Sequence, residues 1–166
     1  MSVTEIKIRR ARVQDVTQIV SLINSYAERG EMLFRSQSQV LQQIRNYFVA
    51  VRDEEVLACG SLDITWTDLA ELRSLAVRED VQSHGLGTKI VNALMADAVE
   101  LGLKRVFALT YKPHFFERLG FKIIDKQLLP HKVWSICIDC LKFPVCDEVA
   151  MQIEVKEWAE SKMKSG

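Results

Sequence analysis

A chain of 166 residues, 48% hydrophobic and 27% charged, is long enough for a proper core and has the balance of one globular domain. Lys plus Arg and Asp plus Glu number 22 each, so the net charge gives no reason to expect nucleic acid or a membrane surface as partner. No apolar run approaches the ~20 residues of a membrane span. The opening MSVTEIKIRRAR lacks the apolar stretch of a signal peptide, and four cysteines without secretory features point to a reducing, cytoplasmic setting.

Residues 6–11 predict a first strand, with Ile6 and Ile8 alternating against Lys7 and Arg9. A helix is expected from about Gln14, where Val16, Ile19, Val20, Ile23 and Ala27 share a face. Asp15 suits its first turn through the helix dipole, and Gly30 ends it. After a loop at 31–35 comes a shorter helix, with Ser36 or Ser38 as cap and Val40, Leu41 and Ile44 as its buried side. Residues 47–52 and 56–65 predict two strands, joined at the charged Asp53-Glu54-Glu55 by a hairpin turn.

Residues 69–101 form the most informative stretch. Leu69, Glu71, Arg73, Leu75 and Val77 would point one way on a strand, and Ala70, Leu72, Ser74 and Ala76 the other. Past Glu79 and Asp80 comes Gln82-Ser83-His84-Gly85-Leu86-Gly87-Thr88, then a helix with Ile90, Val91, Leu94, Ala98 and Leu101 on one face and Gly102 just beyond its end. A glycine-containing turn that opens a helix suits an anion. The first turn of a helix has backbone N–H groups without partners, and Gly85 and Gly87 carry no Cβ to keep a phosphate away. A pyrophosphate cradle and an ordinary tight turn are both consistent with the residues alone. A P-loop is excluded because no Gly-Lys-Ser/Thr follows, and the dinucleotide fingerprint fails on spacing.

Residues 105–111 predict a strand apolar enough for burial on both faces, and Pro113 suits the start of a short helix ending at Gly120. Strands are expected at 121–125 and 150–155. The end of the chain, 158–166, fits either a short helix or a frayed tail.

Gln82-Ser83-His84-Gly85-Leu86-Gly87 resembles the Gln/Arg-x-x-Gly-x-Gly/Ala signature of the GNAT superfamily of acetyl-CoA-dependent N-acetyltransferases. Phe115-Phe116-Glu117-Arg118-Leu119-Gly120-Phe121 is similar to that family's Phe-Tyr-x-x-x-Gly-Phe segment. The resemblance implies an α/β (α+β) GNAT fold: a mixed, mostly antiparallel sheet, splayed at the strands 69–77 and 105–111 and flanked by helices. It implies one acetyltransferase domain over 1–155, a cysteine-containing insertion at about 126–149, and a tail at 156–166. Acetyl-CoA would lie with its pantetheine against Leu75, Ala76 and Val77, its pyrophosphate on Gln82, Ser83, His84, Gly85, Leu86, Gly87 and Thr88, and Phe115 and Phe116 beside it.

A narrower resemblance rests on Ala27-Glu28-Arg29-Gly30, Met32-Leu33-Phe34-Arg35-Ser36, Asp68 to Val77, Phe107 to Tyr111, Leu129-Pro130-His131-Lys132-Val133-Trp134 and Cys146 to Met151. These are similar to the short, stand-alone amino-acid N-acetyltransferases related to N-acetylglutamate synthase, which opens arginine biosynthesis. The implied acceptor is a small-molecule amino acid, L-glutamate first. Longer members carry a kinase-like domain in front, which 166 residues leave no room for. Whether such a chain is a monomer or a homodimer is open at this point.

Acetyl transfer needs a neutral amine, a polarised thioester and a proton for the thiolate. Glu71 is the candidate base, set against the alternative of an ion pair with Arg73 or another cation. Many family members have a tyrosine where this chain has Phe116, which cannot donate a proton. Tyr111 is the substitute candidate acid, against the commoner role of a buried tyrosine with a satisfied hydroxyl. Two carboxylates on glutamate call for fixed cations, and Arg35, Arg73 and Lys132 are the candidates; a solvated surface charge is the alternative for each. Cys137, Cys140 and Cys146 with His131 are a candidate structural zinc set, although the spacing is not that of a common zinc ribbon and free or redox-active thiols fit equally. Cys59 reads as core. Two alternatives stand beside this assignment: acetylation of another small amine or a protein N-terminus, and a non-catalytic acyl-CoA-binding sensor.

Overall fold

A computed structural model describes residues 5–82, 84–129 and 148–165. Seven strands, β1 (Lys7–Arg10), β2 (Tyr47–Arg52), β3 (Glu55–Trp66), β4 (Leu69–Val77), β5 (Arg105–Thr110), β6 (Lys122–Ile123) and β7 (Val149–Glu154), form one sheet in the order β1-β2-β3-β4-β5-β7-β6. It is the mixed, mostly antiparallel sheet that the sequence predicts. The parallel pair is β4 with β5, over Leu69–Glu71 opposite Arg105–Phe107. Among the described residues the α-helices are α1 (Val16–Ala27), α2 (Gln37–Gln42), α3 (Leu86–Leu101), α4 (Pro113–Arg118) and α5 (Val155–Ser165). None is long and apolar enough to cross a membrane among the described residues.

The chain divides into two compact units, residues 1–62 with 72–94 and residues 63–71 with 95–166. In the first, β1 pairs antiparallel with β2 and β2 with β3. Asp53 and Glu54 close the β2–β3 hairpin, both at positive φ (51° and 68°), as a two-residue turn matched to strand twist requires. The core is built from Val16, Ile19, Ile23 and Tyr26 of α1, Val40 of α2, and Tyr47, Val49, Val56, Cys59 and Ala76 of the strands. The α1 stripe is therefore the expected one, widened by Leu22 and Tyr26. Asp15 does more than meet a dipole. It is 2% exposed, takes two hydrogen bonds from Arg9 (2.7 and 3.1 Å), and accepts the Arg12 backbone N–H at 2.7 Å. Ser36 caps α2 in a reciprocal pair with Gln39.

In the second unit, β7 pairs antiparallel with all six residues of β5 and with β6. Leu69, Phe107, Leu129 and Ala150 form its apolar cluster. Phe116 sits edge-on between Phe115 and Phe121, with ring centroids 5.1 Å apart in both pairs.

Three expectations are corrected, and one left open, the end of the chain, is decided. Leu41 is 44% exposed and Ile44 lies past α2 in a 3-10 turn, so Val40 alone carries that helix's fully buried contact. Leu101 is 51% exposed. The α3 end is a Schellman turn, with Gly102 at φ 78° donating to Val99 and Leu103 donating to Ala98, and Leu103 supplies the buried side chain instead. The strand expected at 121–125 shrinks to Lys122–Ile123. Residues 155–165 are helical, with Glu157 in the first turn and Lys162 and Lys164 in the last, a charge order that suits the helix dipole.

Candidate functional site

The connection from β4 to α3 lies within the first unit and is tied down from several directions. β4 is not a simple pleat on the way there. Ser74 has φ 55°, a left-handed value rare for a residue with a side chain, so the period-two argument that put Glu71 on the same face as Leu75 and Val77 stops at Ser74. Cys59 donates its thiol to the Ser74 carbonyl at 3.4 Å. Burial pushes that thiol up to about 12, so Cys59 is an inert core residue, as its strand position suggested. Gly60, next to it on β3, is a close-approach glycine: a Cβ there would meet Ile90 of α3 at 2.7 Å, Leu94 at 3.2 Å and Leu75 at 3.4 Å.

β4 ends at Val77, whose carbonyl accepts the Tyr26 hydroxyl at 2.5 Å and the Gln82 side-chain amide at 3.4 Å. The same Gln82 Nε2 donates to the Tyr26 oxygen at 2.7 Å. A 3-10 turn, Glu79–Val81, follows. Arg29 pairs with Glu79 of this turn, and its guanidinium carbon lies 4.4 Å from the centre of the Tyr26 ring. Arg78 pairs with Asp80 and Glu55, and its bond holds the Asp80 carboxyl below the usual aspartate range. His84 folds back on the turn, with Nδ1 at 3.1 Å from the Val81 carbonyl and 3.2 Å from that of Gln82.

Gly85 stands at φ 73° with open space where a Cβ would be, and its carbonyl accepts the first helical bond of α3, from Lys89 at 3.1 Å. Having no side chain, Gly85 offers the first N–H groups of α3 no capping hydroxyl or carboxylate of its own. Leu86 is buried, while Gly87 and Thr88 are half-exposed. The glycine turn and the helix start thus lie where the sequence motif places them. Ser83 lies outside the described residues.

The other predicted residues are placed as follows. Ala76 is 2% exposed in the core, and Leu75 packs beside Gly60. Glu71 is 8% exposed on β4, opposite Phe107 of β5. Tyr111 is half-buried one residue past the end of β5, which stops at Thr110 rather than at 111. The Thr110 hydroxyl accepts the Lys112 N–H at 2.8 Å and bends the chain into α4. Phe115 is half-buried and Phe116 is 5% exposed, its ring packed within its own unit. Arg73 is half-buried on β4, and its carbonyl accepts the Ser61 hydroxyl at 3.3 Å. Arg35 is half-buried too, and Asn24 of α1 grips its backbone on both sides: the Arg35 N–H donates to Asn24 Oδ1 at 2.9 Å and Asn24 Nδ2 to the Arg35 carbonyl at 3.0 Å. Lys132, His131, Cys137, Cys140 and Cys146 lie outside the described residues. Among the described residues no group of three His, Cys, Asp or Glu is placed to hold a metal ion.

Sequence reasoning did not find Tyr26, Asn24, Arg29 or Gly60. Tyr26 carried a signal nonetheless, a hydroxyl-tipped ring on the apolar face of α1, which needs a polar partner once buried.

Comparison with known proteins adds the family. An uncharacterized N-acetyltransferase of Chlorobaculum tepidum is 39% identical over 144 residues, covering 87% of this chain and 93% of that one. A Mycobacterium tuberculosis protein named amino-acid acetyltransferase is 38% identical over 122 residues, or 71% of this chain and 69% of its own length. Among solved structures, a Mycobacterium tuberculosis protein crystallised in complex with CoA superposes with a TM-score of 0.78 at 29% identity, over 89% of this chain and 98% of that one. Residues 13–121 match the acetyltransferase (GNAT) family, from α1 through the glycine turn to Phe121. The seven-stranded sheet, the helix-opening turn and these matches agree, and the chain belongs to the GNAT acetyltransferase family.

Proposed function

We propose that the protein transfers the acetyl group of acetyl-CoA to the α-amino group of an amino acid, with L-glutamate as the acceptor. The observation that carries this reading is the turn at Gly85, a left-handed glycine that opens α3 with no side chain of its own and open space where a Cβ would be. Such a turn accepts the diphosphate of CoA through backbone N–H groups and the helix dipole. The Thr88 hydroxyl, one turn into α3, is a further donor. The name and coverage of the Mycobacterium tuberculosis relative support an amino acid as acceptor.

In this reaction an α-amino group, with a pKa of about 8, is mostly protonated at neutral pH and must lose a proton before it attacks. Glu71 takes that proton, directly or through water. The amine nitrogen then bonds to the thioester carbon, the tetrahedral adduct collapses, the carbon–sulfur bond breaks, and Tyr111 supplies a proton to the departing thiolate. Arg35, Arg73 and Lys132 are the proposed cations for the two carboxylates of glutamate. Arg35 is favoured among them because Asn24 fixes its backbone while its side chain stays partly accessible. Arg35→Ala is expected to raise the Michaelis constant for glutamate at least about 10-fold while that for acetyl-CoA stays put, the loss of a charged hydrogen bond of roughly 1.5–3 kcal/mol. Equal effects on both constants remove Arg35 from the acceptor site.

The test of the whole reading is thiol release from acetyl-CoA across a panel of amino acids. Release that depends on glutamate is the expected result. Release with a different amine only would overturn the choice of acceptor, and tight CoA binding without turnover on any amine would overturn the enzymatic reading.

A further inference from the structure

We infer that Tyr26 is a positioning residue for acetyl-CoA: its hydroxyl bridges the Val77 carbonyl and the Gln82 amide and sets the turn from which Gly85 and α3 begin, without touching the donor itself. This rests on the proposed function, in which that turn receives the diphosphate. The geometry is unusually complete for a side chain on a distant helix. Tyr26 is 6% exposed, so its ring is held by the core while its hydroxyl alone reaches the chain end of β4. There it donates at 2.5 Å to Val77 and accepts at 2.7 Å from Gln82. A hydroxyl has one proton to give and lone pairs to receive, and both functions are used in one direction each.

The signature glutamine is therefore turned inward. Gln82 Nε2 spends its hydrogen bonds on Tyr26 and Val77, and its backbone N–H points to the Glu79 carbonyl at 3.4 Å. Its contribution to a bound diphosphate is to shape the turn, with Tyr26 as the fixed point. Arg29, one helical turn beyond Tyr26, strengthens the same latch by pairing with Glu79 and covering the tyrosine ring. Tyr26 thus holds both ends of the 77–82 segment, and Arg29, just past the end of α1, holds its middle.

The experiment compares acetyl-CoA with S-acetylpantetheine, which has the same thioester and no diphosphate. Tyr26→Phe removes one oxygen and keeps the ring. It is expected to raise the Michaelis constant for acetyl-CoA about 10-fold, as for loss of one or two hydrogen bonds, with the constants for S-acetylpantetheine and for the amino acid unchanged. A purely structural defect would weaken both donors alike, and that outcome overturns the inference. So does a variant that keeps the full wild-type preference for acetyl-CoA. Should the wild type itself show no preference between the two donors, the diphosphate reading of the turn fails first. Equilibrium binding of CoA, measured at reduced temperature where a less stable variant stays folded, gives the same comparison without turnover. Gln82→Leu cuts the other end of the bridge. The double variant is expected to be no worse than the worse single one, whereas additive losses would mean that Gln82 and Tyr26 act separately and would overturn the bridge.

Discussion

Both compact units have an apolar core, and they differ in how far along the chain their polar side chains reach. In the first, side-chain hydrogen bonds and ion pairs recur at every junction: Arg9 with Asp15, Asn24 with the Arg35 backbone, Tyr26 with Val77 and Gln82, Arg29 with Glu79, Arg78 with Glu55 and Asp80. In the second, a six-pair β5–β7 ladder, an apolar cluster around Phe107 and edge-on aromatic rings stand beside more local polar contacts, such as Arg105 with Asp68 at 3.4 Å, His114 with Glu117 at 3.6 Å and the Lys112 N–H with Thr110 at 2.8 Å. Apolar burial is non-directional and makes a stiff platform. Hydrogen bonds to fixed partners set the direction of a turn to within a fraction of an ångström. The glycine turn proposed to receive the diphosphate lies in the first unit, where such bonds fix the chain leading into it.

That contrast is best broken from the apolar side first. Phe107 is fully buried in the second unit, and Phe107→Ala should cost about 3–5 kcal/mol of unfolding free energy, read from the shift of a denaturant midpoint. A cost below about 1 kcal/mol would mean that apolar packing does not hold this unit. Glu71 is the one buried carboxylate of the same unit among the described residues, and the proposal gives it chemistry rather than stability. Glu71→Gln should lower turnover about 100-fold or more and remove the ascending limb of the pH–rate profile. An unchanged profile excludes the base role and returns Glu71 to the ion pair that sequence reasoning weighed against it.

On the polar side, Asp15→Ala should cost about 2–3 kcal/mol, below the range for fully buried pairs because Arg9 is 18% exposed. Its pH dependence has a definite sign. Burial pushes the Asp15 carboxyl up, but the bonds from Arg9 and the Arg12 N–H outweigh burial and hold it below the usual aspartate range. A carboxyl depressed on folding stabilises the protein above its unfolded value and loses that contribution as pH falls through its folded one. The wild type should therefore lose stability in acid below the ordinary aspartate range, and Asp15→Ala should flatten that part of the curve. A parallel acid limb in both proteins would assign the loss to other carboxyls. The smallest effect belongs to Ser36→Ala, about 1 kcal/mol, from opening the reciprocal cap with Gln39; its check is the thermal midpoint. No shift there would mean that the loop before α2 holds the helix start by itself.

Local signals in the chain carried the elements well. The strand at 47–52 has the bounds that alternation predicted, the strand at 69–77 likewise, and Gly85, Gly102 and Gly120 all take positive φ at the turns they were expected to make. They failed where a neighbour from elsewhere decides. Leu41 and Leu101 fit a periodic stripe but lie exposed, since the period says which face a residue is on and not how far the covering core extends. Ser74 breaks the alternation of β4, and no residue type at 74 announced it.

The sequence by itself determined that strand, glycine turn and helix follow one another from 69 to 101, because alternation, helical period and the absence of a Cβ act over a few residues. Tertiary structure alone decided which partners the polar groups of that stretch would take. Tyr26 meets Val77 and Gln82 across more than fifty positions of chain, Arg29 meets Glu79 across fifty, and Asn24 grips Arg35. A hydrogen bond depends on where two groups end up, which spacing along the chain does not encode.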